Sequence, residues 1–242
     1  MRDVSTILPL TTSRLVYGIG GRRLIDRVDL TVNRGDRLAF IGPNGAGKTL
    51  TLQLLHGLIA PTGGEVRWAA EDGVAGGRKR HAMVFQKPVM LRRSALANVA
   101  HALSAAGVAR SQTKERAHAA LARFGLDHLA GRPARVLSGG EQQRVAIARA
   151  AALEPEVLFL DEPSSALDPG ATRQVEEMLT ELHDSGVTLV FATHDLGQAR
   201  RLAGHVAVFN KGRIIEHGST REVLDGPKTA EARAFVAGEL LW

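Results

Sequence analysis

Between the apolar run Arg37-Leu38-Ala39-Phe40-Ile41 and a leucine-rich stretch beginning at Leu50 stands Gly42-Pro43-Asn44-Gly45-Ala46-Gly47-Lys48-Thr49. This G-x-x-x-x-G-K-[ST] spacing constrains the fold more than any other feature of the chain. It requires a strand that ends in a glycine-rich turn and passes straight into a helix, so that loop N–H groups and the positive helix end converge on one point. Lys48 adds a point charge there, and Thr49 offers a hydroxyl suited to magnesium. The arrangement is a cradle for the phosphates of a nucleoside triphosphate.

The surrounding pattern agrees with an α/β sheet. Val157-Leu158-Phe159-Leu160 and Val187-Thr188-Leu189-Val190-Phe191 are short continuous apolar runs, as expected of strands covered on both faces. Between them Asp168-Pro169 opens a helix carrying Val175, Met178, Leu179 and Leu182, closed at Gly186. Strand, helix, strand in that rhythm implies a parallel sheet. Upstream, Arg14 to Val32 reads as short strands around Gly18-Ile19-Gly20-Gly21, and Glu65 to Trp68 as another strand. Ala69 to Arg80 is polar and glycine-rich and reads as a loop, before Met83-Val84-Phe85 resumes a strand. The middle, Ser94 to Leu153, is helical by its spacing of Leu96, Val99 and Leu103 and of Ala117, Leu121 and Phe124. A hairpin, Val206 to Phe209 and Arg213 to Glu216, precedes C-terminal helical segments.

Further residues carry chemistry. Asp161-Glu162 closes a buried strand, and adjacent strand residues point to opposite sides. The two acids therefore take different tasks: Asp161 suits a magnesium shell, and Glu162 a general base that polarises water against a γ-phosphate. Leu137-Ser138-Gly139-Gly140-Glu141 opens a helix with Ser138 and Glu141 at capping-box spacing. Ser138 with the Gly139 and Gly140 amides makes a second anion site at a helix N-terminus. One nucleotide uses both cradles if two copies of the chain face each other.

The order of these motifs, with Gln86 and His194 between and after them, resembles the ATP-binding subunit of ABC transporters over nearly the whole chain. The resemblance implies an α/β P-loop NTPase (RecA-like) core with an N-terminal antiparallel β-subdomain and an inserted α-helical subdomain. The core and β-subdomain fall at about 1–86 and 154–226, the helical insert at about 87–153, and a C-terminal helix at about 227–242. It assigns Ser138, Gly139, Gly140 and Glu141 to the γ-phosphate of a nucleotide held by the opposite subunit of a head-to-tail homodimer. Gln86 takes the role of reaching magnesium and the attacking water, and His194 that of holding the γ-phosphate. Tyr17 is placed like the aromatic that stacks on adenine, and Ser165-Ala166-Leu167-Asp168 like the loop that contacts the opposite subunit. ATP and Mg2+ are the implied cofactors. A membrane permease, and through it an exported substrate-binding protein, are the implied partners. Leu50 stands where the family commonly has a second Thr or Ser, a position that is not the metal-binding hydroxyl. The glycine-rich segment Asp72 to Gly77 departs from the pattern too, and is expected to alter the β-subdomain's shape and not its chemistry. The stretch Phe85 to Val99, Leu196 to Arg201 and the tail Glu231 to Trp242 resemble tungstate importers and their phosphate and molybdate relatives. The end at Trp242 leaves no room for the regulatory domain that many sugar and sulfate importer ATPases carry.

Composition bounds the alternatives. The chain has 242 residues and no cysteine, so thiol redox chemistry and thiolate metal sites are excluded. It has no run of about 18 apolar residues and no signal-peptide start, which reads as cytoplasmic, peripheral on the inner face of the membrane. The net charge of +6 invites a nucleic-acid reading, but Arg78-Lys79-Arg80 and Arg92-Arg93 lack interleaved aromatics on which bases could stack. No nucleic-acid partner is expected, and a solvated basic face or one near anionic lipid fits better. A soluble ABC ATPase acting on ribosomes or DNA would usually carry tandem cassettes or a coiled coil, and a switch without turnover would tend to lack Glu162 or His194.

Overall fold

The computed structural model describes residues 6–70, 74–75 and 78–239. The first strands are β1 (Leu10–Ile19), β2 (Arg22–Val32) and β3 (Arg37–Ile41), and the phosphate loop then leads into α1 (Lys48–His56). After β4 (Gly63–Trp68), two-residue strands β5 (Val74–Ala75) and β6 (Arg78–Lys79) precede β7 (His81–Val84). Helices α2 (Ala95–Ala105), α3 (Arg110–Ala122) and α4 (Gly139–Ala151) follow. The chain returns through β8 (Val157–Asp161), α5 (Pro169–Asp184), β9 (Thr188–Ala192), α6 (Leu196–Leu202), β10 (His205–Asn210) and β11 (Arg213–Ser219), and closes with α7 (Thr220–Asp225) and α8 (Ala230–Val236).

A six-stranded sheet, ordered β11-β10-β3-β9-β8-β7, is parallel except for β11 at one edge. Its inner strands β3, β8 and β9 are buried on both faces, alternate residues facing opposite ways. Ile41, Leu158, Leu160, Phe191 and Val208 join the helices in one apolar cluster. Their neighbours Phe40, Val157, Phe159, Val190 and Phe209 join β1, β2 and α1 in the other. Burying each such side chain contributes about 1.5–3 kcal/mol over leaving it exposed. A three-stranded antiparallel sheet, β2-β1-β4, caps the second cluster. Strands β3, β8 and β9 run in register, so their C-terminal ends lie along one edge, where open α/β sheets bind ligands.

Several expectations are refined. The short strands expected between Arg14 and Val32 are two long ones, 10 and 11 residues, joined at Gly20-Gly21 with φ of 57° and 78°. Two successive left-handed residues are what a two-residue hairpin turn needs, and glycine adopts them without a Cβ clash. Part of the loop expected over Ala69 to Arg80 pairs as the β5–β6 hairpin. Of the glycine-rich segment Asp72 to Gly77, Asp72, Gly73, Gly76 and Gly77 lie outside the described residues, as do the tail residues 240–242 and Met1 to Ser5. Among the described residues no helix is long and apolar enough to cross a membrane.

Candidate active site

Three loops leave the C-terminal edge of the large sheet together. The phosphate loop follows β3, Glu162 follows β8 and His194 follows β9, while Gln86 stands two residues after β7. They enclose a cavity of about 450 Å³ lined by Leu24, Asn44, Gly45, Ala46, Gly47, Lys48, Thr49, Leu50, Gln86, Glu162 and His194.

The phosphate loop is braced from a distant part of the chain. Gly42 has φ of 142°, and a Cβ there would lie 2.2 Å from the Phe209 carbonyl oxygen on β10. Any larger residue would force the loop off the sheet. Further on, the Gly212 N–H donates to the Ala46 carbonyl at 2.9 Å, and the Asp26 N–H donates to the Gly212 carbonyl at 2.9 Å. The turn between β10 and β11 thus clamps loop and β2 in one place. Pro43 is half-buried and Asn44 and Gly45 are exposed.

Lys48 is buried, and its ammonium donates to the carbonyls of Gly42 at 2.7 Å and Pro43 at 3.1 Å. An ammonium carries three donors, so one remains for an anion in the cavity. Burial pushes the Lys48 pKa down, and the carboxylates of Glu162 and Asp161 oppose that shift. Asp161 is buried too, and accepts the Thr49 hydroxyl at 2.7 Å. Burial raises its pKa, aided by Glu162 and opposed by Thr49 and Lys48. A carboxylate and a hydroxyl side by side are hard oxygen donors that fit Mg2+, whose charge would hold Asp161 ionised.

Glu162 turns away from this pair. Its backbone adopts φ of 48°, its N–H donates to the Ala192 carbonyl at 2.9 Å, and its carboxylate lies 2.7 Å from His194 Nδ1. A left-handed conformation is sparsely populated for a side chain of this kind, and here it swings the carboxylate toward the neighbouring loop. The two acids therefore have separate partners. The Gln86 side-chain amide donates to Ser165 Oγ at 3.1 Å.

The Ser138 turn is built as a reciprocal cap. The Glu141 N–H donates to Ser138 Oγ at 3.3 Å, while the Glu141 carboxylate accepts the Ser138 N–H and hydroxyl, each at 2.8 Å. Those bonds, aided by Arg132 and Arg144, hold the Glu141 carboxyl below its ordinary range. Gly139 and Gly140 form the first turn of α4, against Leu167 and Ala171. None of Ser138, Gly139, Gly140 and Glu141 lines the phosphate-loop cavity of their own chain. Ser165, Ala166 and Asp168 are exposed, and Asp168 caps α5 through the Ala171 N–H at 2.9 Å. Tyr17 lies on β1 opposite Ile25, packed beside the second apolar cluster, and the cavity wall on that side is Leu24. Leu24 has no signal in the sequence beyond its place in an alternating strand.

A sequence profile of the ABC transporter family matches residues 25–165. Over 96% of its length the chain is 38% identical to the phosphate import ATP-binding protein PstB 2 of Natronomonas pharaonis, covering 88% of that protein. It is 40% identical over 91% of its length to the methionine import ATP-binding protein MetN of Caulobacter vibrioides, and 38% identical over 95% to the sulfate/thiosulfate import ATP-binding protein CysA of Bradyrhizobium diazoefficiens, covering 69% of each. Among solved structures, CbiO1 of Clostridium perfringens, part of the ABC transporter complex CbiONQ, superposes with a TM-score of 0.80 at 29% identity, covering 91% of both chains.

Proposed function

The chain belongs to the ABC transporter family as an ATP-hydrolysing subunit of an importer, and from that premise we propose that two copies close on two ATP·Mg beneath a membrane permease to drive uptake of an oxyanion. The observation that carries this reading is the division of the phosphate-binding groups. Lys48, Thr49, Glu162 and His194 share one cavity, while the Ser138 turn stands outside it and is available to a second copy.

In this reading the loop N–H groups from Gly42 to Thr49 and the Lys48 ammonium hold the phosphates by position and charge. Thr49, Gln86 and Asp161 hold Mg2+, which supplies neutralisation of phosphate charge when bound. Glu162 accepts a proton from the attacking water, and His194, oriented by Glu162, donates toward the terminal phosphate. Ser138 with the Gly139 and Gly140 amides closes the pocket from the opposite copy, with Glu141 fixing the turn. Ser165 to Asp168 meet the opposite copy, and Tyr17 contributes to the adenine side with Leu24. Residues 87–153 form the helical block that faces the permease. The dimer works on the inner face of the membrane, and an exported binding protein delivers the substrate to the permease.

Glu162→Gln tests the mechanism, since it keeps the shape and removes the base. Steady-state ATP turnover should fall by at least about 10²-fold, with ATP binding retained. Phosphate release at the wild-type rate would refute the assignment of Glu162.

Tungstate or a related oxyanion is the substrate reading. The phosphate and sulfate/thiosulfate importers among its relatives support an oxyanion, whereas the methionine importer favours a second reading, an amino acid. Uptake by the reconstituted complex, with tungstate, molybdate, phosphate, sulfate and methionine in competition, decides between them. Methionine as the sole effective competitor would remove the oxyanion reading.

A further inference from the structure

Two neighbouring serines in the loop between β8 and α5 each receive a glutamine amide. Ser165 Oγ accepts from Gln86 at 3.1 Å, and Ser164 Oγ accepts from Gln198 at 2.6 Å. Gln86 belongs to the proposed site. Gln198, on α6 and only 1% exposed, lies in the Leu196 to Arg201 stretch but among none of the residues assigned to the nucleotide site. A buried amide costs free energy unless it is hydrogen-bonded, and here Ser164 supplies that partner.

The bond closes a ring. From Glu162 the chain runs two residues to Ser164, crosses to Gln198, runs back four residues to His194, and returns to Glu162 through the 2.7 Å contact between His194 Nδ1 and the carboxylate. The ring has a fixed rear wall. The Glu162 N–H is held by the Ala192 carbonyl at 2.9 Å and the Thr193 N–H by the Phe40 carbonyl at 3.0 Å. Its far side is a short stiff strut: Asp195 caps α6 through the Gly197 N–H at 2.7 Å, and Arg201 grips Glu176 of α5 with two bonds at 2.7 and 2.8 Å.

We propose that Gln198 is a positioning residue which, through Ser164, sets the angle of His194 against Glu162 and ties that pair to the exposed loop Ser165 to Asp168. This inference rests on the reading of Glu162 and His194 given above. Contact of that loop with a second copy moves Ser164. Because Gln198 is buried and its helix is braced, the displacement passes to the His194 turn and not to solvent. Gln86 reads the same loop from the adjacent serine.

The test is steady-state turnover of the full chain beside its ATP dissociation constant. Gln198→Leu and Ser164→Ala should each lower kcat about tenfold, as small misplacements of reacting groups do, with ATP affinity changed less than about twofold. The double variant should be no worse than the poorer single variant, because both changes break one bond. Ser164→Thr, which keeps the hydroxyl, should restore kcat. Unchanged kcat, losses that multiply, or ATP affinity falling in step with kcat would each overturn the proposal. Should Gln198→Leu not fold, the contrast of Ala with Thr at Ser164 decides alone. Full turnover in His194→Ala would sink the reading of the pair itself. Lost turnover in His194→Ala beside full turnover in Gln198→Leu would sink only this inference.

Discussion

His56 ends α1 with its ring edge-on to His81, centroids 4.6 Å apart, and to Phe159 at 5.9 Å. Burial, aided by the nearby charges of His81 and Lys79, pushes its pKa down to about 4 from 6.5. Above pH 6.5 the ring is neutral in folded and unfolded chains alike, and His56 adds no pH dependence. As pH falls from 6.5 toward 4, the unfolded chain takes up a proton that the folded one refuses, so stability declines across that window and then levels. The loss attributable to this residue is roughly 2–3 kcal/mol. His56→Gln should flatten that stretch of the curve, read from urea midpoints at about pH 7.5 and about pH 4.5. Parallel losses in the variant and the parent would show that other groups carry the acid sensitivity.

At the scale of elements, the first turn of α4 lies so close to α5 that a Cβ on Gly140 would sit 2.7 Å from the Ala171 Cβ. Gly140→Ala should therefore cost about 1–3 kcal/mol of thermal stability and lower turnover more than ATP binding, by displacing the Ser138 turn. A stable variant with full turnover would mean the helices part easily. Elements set by local chemistry were legible in the sequence: the Ser138–Glu141 capping box, the Asp168 cap and the doubly covered strands all follow from neighbours in the chain. The lengths of β1 and β2 were not, because Arg14 and Arg27 take φ of 44° and 54° and the register shifts between Thr12 and Leu15, which breaks the two-residue alternation. The helical stretch from Ser94 to Leu153 is interrupted by Gly107, Gly125 and Pro133, with short 3-10 turns at Asp127–Leu129 and Ala134–Val136. Leu24 and Gln198 reach the site's surroundings only by pairing across the fold, a relation that no local spacing carries.

For the whole molecule, the proposed sandwich makes each pocket the property of two chains. Lys48→Ala disables the phosphate loop and Ser138→Arg blocks the closing turn, so neither variant has an intact pocket with copies of itself. Mixed together, they should form heterodimers with one intact pocket, detectable as nucleotide-dependent dimer and partial recovery of turnover. Absence of any nucleotide-dependent dimer in the mixture would count against a shared pocket.

The clamp of Gly212 and Phe209 on the phosphate loop also has a temporal side. A ribosome makes Gly42 to Thr49 first, and the backbone that holds that loop in shape arrives only with β10 and β11, more than a hundred and fifty residues later. The nascent chain thus acquires the backbone that braces its phosphate loop only once β10 and β11 have followed it out of the ribosome.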